Sequence, residues 1–180
     1  LHDLGSHLID QATQLFGFPE KLFADVFSMK GPEFANDYFE ILCSYKNDFR
    51  VRLKSSVFSK EAHCAYILHG EKGSFLQERT DAQESDLVSG AVPTYHEDWT
   101  KPLTQPDGIL NYLKENSETE RILTSSEPGN YMDYYQQIYE HIFFGAELPS
   151  PGAEIIQNMK IIEAALESSR EGKITHFFTT

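Results

Sequence analysis

Past the first helix-like segment, the apolar residues of this chain switch to a period of two, and the turns between the runs are too short for a crossover. Leu22 to Met29, Tyr38 to Tyr45 and Phe49 to Ser56 read as strands rich in Phe, Tyr, Val and Ile. Gly31-Pro32 interrupts the first pair, and Lys46-Asn47-Asp48 makes a hairpin turn between the second and third. Cys64 to His69 and Ser74 to Gln77 form a further hairpin around Gly70-Glu71-Lys72-Gly73. A parallel pair needs a crossover of about a dozen residues, so these runs demand an antiparallel sheet.

Helical periodicity brackets the sheet. Leu8, Ile9, Ala12, Leu15 and Phe16 share one stripe of a helix predicted over Ser6 to Phe16, with Gly5 as its cap and Gly17 and Pro19 as its stop. Tyr131 to Phe144 is a second helix, carrying Tyr131, Tyr134, Tyr135, Ile138 and Ile142 at helical spacing and closed by Gly145. Pro151 to Arg170 is a third, with Pro151 as its first residue, Ile155, Met159, Ile162 and Leu166 as its buried stripe, and Gly172 at its end. Ile174 to Phe178 returns as a last strand or an ordered tail. Residues 78–129 hold Pro93, Pro102, Pro106 and Pro128, and are expected to form an irregular excursion. Within it, helical turns are predicted near Asp81–Ser89 and Gly108–Lys114. The sum is an α+β fold: one domain over 1–180, with an open, mostly antiparallel sheet and helices packed on one face.

Charge narrows the partners. Asp and Glu number 28 against 15 Lys and Arg, a net charge of −13, so neither nucleic acid nor an anionic membrane suits this surface. No apolar run approaches the roughly 18 residues of a membrane span. With no signal peptide and a start at Leu1 inside a patterned segment, the chain reads as a piece cut from a longer cytoplasmic protein. Its two cysteines, Cys43 and Cys64, fit reduced core thiols, a disulfide being the alternative. In the third strand Phe49, Val51 and Leu53 alternate with Arg50, Arg52 and Lys54. The cationic face is either solvated and neutralised by neighbouring carboxylates, or an interface with a second copy of the chain.

The densest polar cluster is Asp3-Leu4-Gly5-Ser6-His7, followed by Asp10. Asp3 and His7 stand four apart at a helix entry, so their side chains share one side. A carboxylate beside an imidazole fixes its tautomer and raises its basicity, as a general base for a hydroxyl proton requires. A capping carboxylate next to a surface histidine is the plainer reading. No spacing matches a known metal site, and no metal is expected. Gly70-Glu71-Lys72-Gly73-Ser74 joins two strands and opens no helix, so it is a turn and not a phosphate loop. Asn130 and Tyr131, at the start of the tyrosine-rich helix, can line a polyol pocket, or the tyrosines can be core.

Four stretches resemble the C-terminal domain of the Gfo/Idh/MocA oxidoreductases. They are Asp3-Leu4-Gly5-Ser6-His7-Leu8-Ile9-Asp10-Gln11 with Leu15-Phe16-Gly17 and Pro19; His69 to Phe75; Gly129-Asn130-Tyr131 leading to Tyr134-Tyr135, Ile138 and Ile142; and Pro149 through Ile161 to Ala165, Ser168-Ser169 and Gly172. The resemblance implies the open-sheet fold shared with the C-terminal domain of glyceraldehyde-3-phosphate dehydrogenase, and a missing N-terminal dinucleotide-binding domain. It implies a parent that uses NAD or NADP to oxidise a secondary hydroxyl of a sugar or cyclic polyol, inositol-like in flavour. His7 would be its general acid or base and Asp3 would orient it, with Asp3, His7, Asn130 and Tyr131 contacting substrate. Asp10 would be structural or support the site from behind. The sheet face would join subunits into a dimer or tetramer. The Gly-rich fingerprint is absent, so this piece alone is expected to bind no cofactor well and to be inactive. The alternative is a binding or assembly module of the same family that has lost catalysis.

Overall fold

The computed structural model describes residues 1–61, 63–79, 81–93 and 105–177. These gather into two compact units, Leu1–Ser59 with Ser150–Thr180, and Lys60–Pro149.

The first unit holds α1 (Leu4–Phe16), β1 (Lys21–Phe27), β2 (Tyr38–Ser44) and β3 (Arg50–Ser56). The elements labelled α4 (Gly152–Glu171) and β8 (Thr175–His176) complete it. Its sheet has the order β3-β2-β1-β8, antiparallel throughout, with Leu22 facing Cys43 and Ile41 facing Leu53 in register. Leu22, Ala24, Phe39, Ile41, Cys43 and Leu53 point to one face, where Ile9 and Ala12 of α1 and Ile161, Ile162, Ala164 and Ala165 of α4 cover them. Burying the Leu, Ile and Phe side chains among them contributes on the order of 1.5–3 kcal/mol each, so this one face carries the unit.

β8 reaches only Lys21 and Leu22, leaving the rest of the outer edge of β1 without a strand. Two serines of α4 complete it. Ser168 Oγ accepts from Ala24 N at 3.0 Å and donates to Lys173 O at 2.6 Å. Ser169 Oγ accepts from Val26 N at 2.9 Å and lies 3.1 Å from Val26 O. The paired serines thus serve a helix that must dress a strand edge while ending at Gly172, which takes the left-handed C-cap conformation at φ 65°.

The second unit holds β4 (Tyr66–Gly70), β5 (Gly73–Gln77), α2 (Ala82–Val88), β6 (Gly108–Leu113), β7 (Thr119–Thr124) and α3 (Tyr131–Phe144). Its sheet is an antiparallel meander in the order β4-β5-β6-β7.

The α+β class and its antiparallel strands are as predicted, while four expectations change. The strands form two four-stranded sheets and not one open sheet, since no ladder joins β3 to β4 among the described residues. The expected irregular excursion over 78–129 lies in part outside the described residues; in its described parts α2 matches the expected turns near Asp81–Ser89, but Gly108–Leu113 is strand β6 and not a helical turn. Ile109, Leu110, Tyr112 and Leu113 favour a strand, and pairing on both edges overrides the short run's ambiguity. In α4 the buried stripe is Ile161, Ile162, Ala164, Ala165 and Ser168, whereas Ile155 and Met159 are exposed, because burial begins only where the helix crosses the first sheet. Finally, α3 buries none of its residues, so its tyrosines are not core.

Candidate active-site helix

α1 begins two residues earlier than its apolar stripe suggests. Asp3 is the N-cap and Gly5 lies inside the first turn, not at the cap. A Cβ on Gly5 would sit 2.6 Å from Leu1 Cδ1 and 3.5 Å from the Phe39 ring, so glycine lets the helix entry lie against β2. The Asp3 side chain makes no capping hydrogen bond. Its carbonyl instead accepts from the Ser6 hydroxyl at 2.6 Å and from Ser6 N at 3.2 Å. The plainer reading of Asp3 as a capping carboxylate therefore does not describe it. Asp3 and His7 are both exposed, one turn apart on the helix face opposite Ile9 and Ala12. No hydrogen bond or ion pair links them among the described residues.

The next turn of α1 is tied to α4. Asn158 Nδ2 donates to Asp10 Oδ1 at 2.8 Å, and its Oδ1 lies 2.9 Å from Thr13 Oγ1. Gln14 Nε2 donates to Glu154 Oε2 at 2.9 Å. Asp10 is thus tied to α4 through Asn158.

Asn130 and Tyr131 stand together in the second unit. Asn130 caps α3, its Oδ1 accepting from Met132 N at 3.0 Å while Nδ2 donates to Asp133 Oδ1 at 2.7 Å. The Tyr131 hydroxyl donates to Asp81 Oδ2 at 2.5 Å. Asp81 also caps α2, accepting from Gln83 N and Glu84 N at 3.0 Å each. Burial opposes ionisation of Asp81, but Tyr131, the two N–H groups and Arg79 outweigh it and hold the carboxyl below its ordinary range. The hydrogen bond to Asp81, with some burial, pushes the Tyr131 phenol up. Gln83, 5% exposed, has its Oε1 2.8 Å from Tyr131 N and donates from Nε2 to Gly129 O. It straddles Asn130. Sequence reasoning passed over Asp81 and Gln83. The Asp81-x-x-Glu84 spacing of a capping box was a legible signal for the first, and nothing local marks the second.

The cations of β3 find partners within the chain. Arg52 Nε and Lys54 Nζ lie 3.0 and 3.8 Å from the Glu40 carboxylate, and Arg50 pairs with Asp48 at 3.8 Å. Both cysteines are free, and burial pushes the Cys43 thiol up to about 12. Among the described residues no helix is long and apolar enough to cross a membrane, and no three His, Cys, Asp or Glu side chains gather as a metal site.

The sequence pattern described as the oxidoreductase family, C-terminal alpha/beta domain, matches residues 1–176. The chain belongs to the Gfo/Idh/MocA oxidoreductase family. Within it, the chain is 35% identical over 172 residues to the scyllo-inositol 2-dehydrogenase (NADP(+)) IolW of Bacillus subtilis, covering 95% of this chain and 47% of that protein. It is 34% identical over 170 residues to the uncharacterized oxidoreductase YdgJ of Escherichia coli, covering 94% and 47%. The solved structure of yvaA from Bacillus subtilis superposes with a TM-score of 0.90 at 32% identity, covering 99% of this chain and 52% of that one. The chain therefore spans about half the length of the curated Gfo/Idh/MocA relatives it matches, and corresponds to their C-terminal domain.

Proposed function

We propose that the full-length protein is an NAD(P)-dependent dehydrogenase oxidising a secondary hydroxyl of a sugar or cyclic polyol of inositol type, with His7 as general acid/base. The observation that carries this reading is the exposed Asp3 and His7 pair on the rim of α1, neither side chain committed to capping or to the core. Similarity to IolW supports the substrate class.

An alcohol oxidised in this way loses a proton from oxygen and a hydride from the same carbon. The nicotinamide supplies the hydride acceptor. His7, as neutral imidazole, takes the hydroxyl proton and returns it in the reverse reaction. Asp3, one turn earlier, accepts from the imidazolium or from a second substrate hydroxyl, holding ring and substrate in line. Asn130 and Tyr131 offer a polyol their remaining capacity: the amide keeps one N–H and one lone pair, and the phenol oxygen can still accept. Gly70 to Gly73 joins β4 to β5 and opens no helix, so this turn is no cradle for a dinucleotide. The cofactor is assigned to the half of the parent outside this chain, and the piece alone is inactive.

The face of the first sheet away from the helices presents Phe23 and Phe27, 42% and 41% exposed, beside the Glu40 ion pairs. We assign it to contact between subunits of a dimer or tetramer. The free thiols fit a cytoplasmic protein.

The test is cofactor reduction by the full-length protein against a panel of inositols and aldoses, with NAD and NADP in parallel. Turnover with a cyclic polyol is expected. Cofactor binding without turnover across the panel would favour a non-catalytic module of the family instead.

A further inference from the structure

We propose that Asn158 is a positioning residue for His7: it fixes where α1 lies along α4, and so where the imidazole is presented. The inference rests on the reading of His7 above. The apolar contact of Ile9 and Ala12 with Ile161, Ile162 and Ala165 decides which face of α1 is inward, but apolar packing has no direction along the helix axis. Directional contacts sharpen that coordinate, and Asn158 supplies two. An ionised Asp10 only accepts, so the Asn158 amide must turn its NH₂ toward it, donating at 2.8 Å. That leaves Oδ1 for Thr13, whose hydroxyl lies 2.9 Å away and equally 2.9 Å from the Asp10 carbonyl. One amide thus grips α1 at Asp10 and Thr13, the first of them three residues beyond His7 and on an adjoining part of the same surface. Gln14 and Glu154 add a second tie one turn away on both helices.

The experiment uses the full-length protein and the variants Asn158→Asp, Asn158→Ala, Asp10→Asn and the swap Asp10→Asn/Asn158→Asp, each with and without His7→Ala. Asn158→Asp sets two carboxylates together with no donor between them, and Asn158→Ala removes both bonds without adding charge. Each is expected to lower kcat about tenfold while the KM for cofactor stays put, since small misplacement of a reacting group is costly. The swap reverses donor and acceptor, keeps the Thr13 bond and restores kcat. In the His7→Ala background the same changes lower the residual rate no further. In protein labelled at histidine, the His7 ring signal moves in Asn158→Asp and Asn158→Ala and returns in the swap, while those of His141 and His176 stay. A His7 signal indifferent to Asn158, or an undiminished loss of rate in the His7→Ala background, would overturn the inference. If His7→Ala itself costs only a few-fold while the ring signal follows the swap, the chemical reading of His7 falls and the positioning by Asn158 stands.

Discussion

A single buried hydroxyl closes one gap on the outer edge of β1. Ser168 is fully buried, and its Oγ is the acceptor for Ala24 N where β8 no longer reaches. Ser168→Ala leaves that N–H and the Lys173 carbonyl without their partner, and should cost about 1–3 kcal/mol in urea denaturation. The cysteines separate by environment in the same way. Burial holds Cys43 near 12 as a thiol, so in the folded protein a thiol reagent should reach Cys64 and spare Cys43 until denaturant is added. Equal labelling of both in the native state would contradict the packing of β2. At this scale the Asp3 and His7 pair was legible, because four-residue spacing at a helix entry is a local signal. Asn158 was not, because it meets Asp10 across 148 residues of chain and no local pattern encodes such a contact.

Elements read well where their ends carry chemistry. α3 runs Tyr131–Phe144 as predicted because Asn130 caps its start and Gly145, at φ 70°, ends it. β6 was misread because Gly-Ile-Leu-Asn-Tyr-Leu lacks a clear period, and pairing with β5 and β7 settles it. The β4–β5 hairpin gives a sharp test of the second sheet. A Cβ on Gly73 would lie 2.5 Å from the Asn111 carbonyl oxygen and 3.0 Å from Tyr112 Cα, backbone that cannot yield without opening the β5–β6 ladder. On Gly70 the nearest atom would be 3.7 Å away, an ordinary contact. Gly73→Ala should therefore lower the melting temperature clearly, by the cost of overpacking at about 1–3 kcal/mol, while Gly70→Ala leaves it nearly unchanged. The clasp of Asp81 and Tyr131 is bounded by pH on both sides. A depressed Asp81 stabilises above its unfolded pKa and loses that contribution as pH falls through its lower folded value, below about 4. A raised Tyr131 stabilises below its unfolded pKa and loses that contribution as pH rises above about 10. The Tyr131 ring signals should hold steady between those limits and shift beyond each.

On the scale of the whole molecule, two compact antiparallel units account for what was legible and what was not. Alternating runs and short turns gave the strand directions, but which strands share a ladder depends on pairings that no single run contains, so the division of the described strands into two ladders was invisible. The candidate site divides likewise: α1 carries Asp3 and His7 in one unit, and α3 opens with Asn130 and Tyr131 in the other. The central claim, that α1 presents the acid/base of a polyol dehydrogenase, belongs to the full-length protein. Its most direct test compares kcat/KM of the wild type with that of His7→Ala on the best polyol of the panel, at matched cofactor affinity. A loss of roughly 10²-fold or more is predicted, the usual contribution of a general acid/base. A loss of only a few-fold would contradict it.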